Sequence, residues 1–181
     1  MQKNTKVALF GSLKIMVMAA IFVAISIVCG KYLAIPGGNV LRFSFENLPI
    51  LMSGIAFGPA VGAAVGIVAD LVGCFLVGYT VNPILTVASA LMGVFGGVIF
   101  RLCKKWSIFP RLTLTVTLSH LICSVGIKTV GLSAFYSIPL WELMLWRLLN
   151  YIIVGALELT LIYILVKNKA VRKQLGISLE E

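Results

Sequence analysis

Long apolar runs separated by short breaks of proline, glycine and asparagine make up most of this chain. The runs cover roughly 13–34, 45–57, 59–78, 83–103, 112–133 and 143–166, and the breaks carry Pro36-Gly37-Gly38, Gly58-Pro59, Asn82-Pro83, Pro110 and Pro139. A helix needs about 20 apolar residues to cross the hydrocarbon core of a bilayer. Five runs meet that length; the second is shorter and is interrupted by Asn47, Pro49 and Gly54. Glycine-broken patterning without strict alternation argues against a membrane barrel. The pattern predicts an all-α polytopic membrane protein: six transmembrane helices in one bundle, forming a single domain over residues 1–181.

Charge sets the expected topology. Only 12% of the residues are charged and 60% are hydrophobic, far from the soluble balance of roughly a quarter charged. Lys3, Lys6 and Lys14 precede the first run, Arg101, Lys104, Lys105 and Arg111 lie between the fourth and fifth, and Lys167, Lys169, Arg172 and Lys173 follow the sixth. By the positive-inside rule these 11 of the 15 basic residues face the cytoplasm. Both termini are then expected inside, which an even number of spans satisfies. The net charge of +9 therefore reports topology and attraction to anionic lipid, and nucleic acid is not an expected partner. The first run is too long for a signal-peptide core and lacks a small-residue cleavage site, so it is expected to remain as a span. Cys29, Cys74, Cys103 and Cys123 are scattered through apolar sequence, which points to packed thiols rather than a metal site or a disulfide framework.

Against this background one acid stands out. Asp70 continues a four-residue series through Gly58, Gly62 and Gly66, in a run otherwise without charge. With about 1.5 Å of rise per residue it lies roughly 12 Å below the outer end of its span. A carboxyl at that depth must face protein or water, and it marks a functional site by default. The glycines allow close helix contact, and the drift of a four-residue series around a 3.6-residue helix carries the row from a packing seam toward a different neighbour.

Four cations escape the topological explanation: Lys31, Arg42, Lys128 and Arg147, all near outer span ends. Snorkelling to headgroups accounts for a lone cation at a span end. Lys128 and Arg147 lie further in, the latter at i,i+3 spacing from Asn150. Converging over Asp70, such residues would form a pocket with cationic walls and a deeper acid. Phe43, Phe45, Tyr79, Phe135, Tyr136 and Trp141 crowd the same side, either as an interfacial aromatic belt or as stacking surfaces for a flat ligand. Other chemistry is poorly served. The stretch "GIKT" at 126–129 lacks the phosphate-loop glycine and spacing. Ser133 and His120 are about 20 Å apart along one predicted helix, too far for a nucleophile and its base. His120 is expected to be packed or hydrogen-bonded, and no enzyme is expected.

The stretch "LRFSFENLPILMSGIAFGPAVGAAVGIVADLVG" at 41–73, followed by "NPILTVASALMGVFGGVIF" at 82–100, resembles the substrate-binding S component of energy-coupling-factor vitamin transporters, folate group. Phe57-Gly58-Pro59, the glycine series and Asp70 carry the most specific likeness, which is closest over the first four spans. The resemblance implies a cell-membrane protein that captures folate outside and works with a transmembrane coupling subunit and two cytoplasmic ATPases, folate being the transported ligand and no cofactor being needed. It implies contact with the coupling subunit through an alanine-x-x-x-alanine pattern on the first helix, here Ala20 and Ala24. For ligand binding it supports Arg42 and Asp70 as family positions, Asp70 near the pterin and Arg42 toward the glutamate tail, and depth along their spans adds Lys128 and Arg147 toward the tail. Asn82, Asn150 and Trp141 are secondary candidates, and Glu46 or Glu142 is an alternative acceptor in a shallower pocket.

Two other readings are compatible with the sequence. One is an S component for another flat vitamin or nucleobase-like precursor, because shared architecture does not fix the ligand. The other is a self-sufficient secondary transporter. Against it, no two halves match, and Glu158 is the one other deep acid, too little for a proton relay.

Overall fold

The computed structural model of the chain describes residues 12–36 and 42–177. Its elements are almost entirely helical. Helix α1 spans Leu13–Ile27 and runs on as a π-helical turn, Val28–Tyr32. A two-residue antiparallel ladder follows, β1 (Ile35–Pro36) with β2 (Arg42–Phe43), pairing Ile35 with Phe43 and Pro36 with Arg42. Then come α2 (Asn47–Phe57), α3 (Pro59–Leu76) and α4 (Pro83–Leu102). The next helix is continuous but changes register midway: α5 (Ile108–Ser119), a π-helical segment (His120–Ile127) and α6 (Lys128–Tyr136). Helix α7 (Leu140–Lys167) is followed by a short α8 (Lys169–Leu175).

Five of these helical stretches are long and apolar enough to cross a membrane: Leu13–Tyr32, Pro59–Leu76, Pro83–Leu102, Ile108–Tyr136 and Leu140–Lys167. The expected sixth, 45–57, is realised as the 11-residue α2. At 1.5 Å per residue it is roughly 16 Å long, about half a hydrocarbon core. It lies inside the protein, with Asn47, Pro49 and every residue from Ile50 to Ile55 buried, because a helix without a polar face is stable only where neighbours surround it.

Glycine makes that enclosure possible. A Cβ on Gly54 would strike the backbone carbonyl of Gly93 on α4, one on Gly66 would strike that of Ser89, and one on Gly93 would strike that of Gly62 on α3. Helices α2, α3 and α4 thus meet backbone to backbone, the close approach that small residues permit in membranes. The turn between α2 and α3 has a similar origin. Gly58 adopts φ +101°, a conformation side chains rarely tolerate, and Pro59 supplies the pre-set first residue of α3. The apolar core lies at this same end. Leu51, Met52, Val61, Val65, Met92, Leu112, Val116, Ile162 and Val166 pack there, closed off by Leu175 at the end of α8 and Ile177 just beyond it.

Candidate ligand-binding site

The opposite end of the bundle is hollow. A cavity of about 320 Å³ opens among the last residues of the first helix, the segment before α2, the end of α3, the start of α4, one side of α6 along its length and the first half of α7. Its wall includes Lys31, Ser44, Glu46, Asp70, Cys74, Tyr79, Thr80, Lys128, Tyr136, Arg147 and Tyr151. Its volume falls at the lower end of small-molecule sites, about 300–1,000 Å³.

Asp70 reaches the cavity from α3 and is held by α4: the Thr86 hydroxyl donates to its Oδ2 at 2.6 Å. The glycine row therefore keeps α4 as its neighbour as far as the acid. Only at Cys74 does the row turn to the first helix, where Lys31 Nζ lies 3.9 Å from Sγ. Lys31 also sits 5.8 Å from the ring centroid of Tyr79, within cation–π reach.

Lys128 begins α6 and is buried. Its ammonium donates to Glu46 Oε1 at 2.8 Å and to Asn47 Oδ1 at 3.2 Å, so its charge is matched within the protein. Arg147 differs. It is buried on α7 and donates to neutral acceptors, to the Ser124 carbonyl at 3.2 Å (Nε) and 3.0 Å (Nη2) and to the Tyr151 hydroxyl at 3.3 Å. Ser124 lies in the π-helical segment, and such register changes recur at functional sites.

Three of the residues expected at the site, Asp70, Lys128 and Arg147, thus share one cavity. Arg42 contributes backbone to β2, and its side chain lies outside the described residues. The other three do not line the cavity. Asn82 caps α4, accepting from the Ile84 amide at 3.0 Å and donating to the Gly131 carbonyl at 3.2 Å; both ends of its amide serve the scaffold. Asn150 is buried on α7 but away from the cavity wall. Trp141, at the start of α7, is 71% exposed, as a ring of the aromatic belt would be. Of the two alternative acids, Glu46 lines the cavity whereas Glu142 is exposed at the start of α7. Ala20 and Ala24 are exposed on α1, one above the other at helical spacing.

Sequence reasoning missed Thr86 and Tyr151. Tyr151 was findable, four residues after Arg147 and so on the same helix face. Thr86 depends on the α3–α4 register and carries no such signal. The pairing of His120 was missed too. Its Nε2 lies 2.6 Å from Glu158 Oε2, joining the two groups that the sequence reading left apart, while Ser133 donates to the Ile138 carbonyl at 2.7 Å instead.

The family model described as "ECF transporter, substrate-specific component" matches residues 14–168. No curated protein matches the chain by sequence. Among solved structures, one described as "Crystal structure of FolT bound with folic acid" superposes with a TM-score of 0.69 at 22% identity, covering 83% of this chain and 90% of that one. The likeness is one of fold.

Proposed function

The chain belongs to the family of substrate-specific components of ECF transporters, and from that premise we propose that it is the folate-binding subunit of an energy-coupling-factor importer in the cell membrane. One observation carries the reading: a deep carboxylate, Asp70, and two cations, Arg147 and Lys31, border the same cavity together with Tyr79, Tyr136 and Tyr151. A pterin offers an amino group and a ring nitrogen that donate in parallel to a carboxylate, a flat ring that stacks on tyrosines, and a tail with two negative charges. The ligand-bound fold relative supports the same ligand class.

In this assignment Asp70 accepts from the pterin and Thr86 orients it. Arg147 meets the tail, because its donors rest on neutral acceptors and its charge remains open to an anion. Lys128 already faces Glu46, so a ligand carboxylate there would compete with an internal one. Lys31 extends the cationic rim, and Arg42 is kept as a tail candidate on its sequence position alone. Asn82, Asn150 and Trp141 act on the scaffold or at the membrane boundary rather than on the ligand.

Six crossings in one domain complete the proposal. Helix α2 and the extended segment 42–46 ahead of it make the second crossing, irregular backbone being tolerated where it lines a protein cavity. The basic residues then place both termini in the cytoplasm and the cavity mouth outside. A transmembrane coupling subunit and two ATPases supply the drive, the former docking on the exposed Ala20–Ala24 face of α1.

The purified chain is expected to bind folate one to one without ATP and to transport it only with the coupling module. Ala20→Leu and Ala24→Leu should keep folate affinity within about two-fold while abolishing uptake. Absence of folate binding by the folded chain would refute the assignment, and transport by the chain alone under a proton gradient would replace it with a secondary transporter.

A further inference from the structure

His120 and Glu158 have no part in the ligand contacts just described, yet they are among the most deeply enclosed polar groups of the bundle, 3% and 0% exposed. Burying an ionisable pair inside a membrane bundle is costly and ordinarily marks a function. The imidazole is held at both nitrogens: Nε2 by Glu158 Oε2 at 2.6 Å and Nδ1 beside Ser124 Oγ at 3.3 Å. A carboxylate on one nitrogen and a hydroxyl at the other fix the ring's orientation.

Two separate bridges lead from that ring to Arg147. The first is Tyr151, whose ring lies against the imidazole at 5.1 Å between centroids, tilted 31°, and whose hydroxyl accepts from Arg147. The second is Ser124, whose hydroxyl faces the imidazole while its carbonyl accepts from both Nε and Nη2 of Arg147. Helical spacing explains the match. Arg147, Tyr151 and Glu158 stand at i, i+4 and i+11 on one face of α7, and His120 and Ser124 stand at i and i+4 on the facing segment. Tyr151 lines the ligand cavity, and together with His120 it lines a second, largely apolar groove of about 310 Å³ that opens at the outer surface of the helices beside Leu121 and Ile152.

We propose that His120 and Glu158 form a positioning pair, acting through Tyr151 and Ser124 to set the guanidinium of Arg147 and with it the affinity for the anionic end of the ligand. The inference rests on the reading that Arg147 meets the tail of folate. Its signature is dependence on that tail: the pair influences folate but not a pterin that lacks the glutamate.

Glu158→Gln removes the charge and keeps the shape. In the full chain it should weaken folate about ten-fold, the scale of one charge-assisted hydrogen bond, and leave 6-hydroxymethylpterin within about two-fold. Equal weakening of both ligands, or of neither, would overturn the proposal. Should that variant not fold, the wild-type protein gives the answer, because the chain contains one histidine and ¹⁵N-histidine labelling reports on His120 alone. Saturation with folate should move the imidazole nitrogen resonances and saturation with 6-hydroxymethylpterin should not; resonances unmoved by folate would refute the coupling. Arg147→Lys separates the two layers of the argument. Unchanged folate affinity in that variant would remove Arg147 from the tail, a failure of the ligand reading. The coupling of the pair to residue 147, the part of the proposal independent of folate, then stands if the His120 resonances of the ligand-free variant shift from wild type, and falls if they coincide.

Discussion

The two ends of this bundle use opposite chemistry for opposite tasks. At the end built from the α2–α3 turn and the second half of α4, glycines 54, 62, 93 and 97 bring three backbones into contact and leave no space for solvent. At the other end α3 carries Asp70 to a cavity shared with Glu46 from the segment before α2, Lys128 from α6 and Arg147 from α7, and an acid takes the place of glycine in the α3 row. The contrast teaches that a small-residue seam can do more than join helices. By fixing α3 against α4 through Gly66 and Ser89, it sets the register one turn further on that brings Thr86 to Asp70.

The seam should be the less forgiving half. Gly93→Leu forces a side chain into the Gly62 backbone, which has no flexible end to move, and overpacking against backbone should cost about 3 kcal/mol, the upper end of the usual range. Thermal unfolding in detergent should fall by about 10 °C or more, with ligand affinity lost only as a consequence of unfolding. A variant of wild-type stability would show that the close contact is dispensable.

Between the two ends in kind stands the Lys128–Glu46 pair, a polar contact that also braces the fold by tying α6 to the segment before α2. Lys128→Met leaves the Glu46 carboxylate without its ammonium. Because that side chain is 27% exposed, the loss should be about 2 kcal/mol, below the value for a fully buried pair. Adding Glu46→Gln should recover most of it, and a double-mutant cycle measures the coupling. Additive losses would mean that the pair does not brace the fold. Thr86→Val should spare stability and weaken ligand binding about ten-fold, since the carboxylate loses its orienting donor. Trp141→Leu, at the membrane boundary, should change neither by more than about two-fold.

How much of this was legible in the sequence follows the same division. The spans could be read because apolar length is set by the bilayer, and Asp70, Lys128 and Arg147 could be read because charge at depth is unusual enough to count. Helix α2 was harder: its run is visibly short and broken by Asn47, Pro49 and Gly54, but only packing shows it to be enclosed. Asn82 stands before a proline, a helix-start pattern as well as a ligand candidate, and capping α4 is the role the structure gives it. Trp141 and Asn150 were placed by depth, which fixes height along a helix but not the direction in which it faces. The pairs that organise the cavity were out of reach for a different reason. Glu46 and Lys128 are 82 residues apart and His120 and Glu158 are 38 apart, and the π-helical segment at His120–Ile127 shifts the angular position of everything after it.

The most direct test of the polar end is the affinity of Asp70→Asn for 6-hydroxymethylpterin, a ligand that presents the ring and nothing of the tail. Replacing a charged acceptor by a neutral amide that also donates should weaken binding by about a hundred-fold, with the unfolding temperature of the ligand-free protein kept within a few degrees. Unchanged affinity in a folded variant would contradict the assignment of Asp70 as the group that holds the ring.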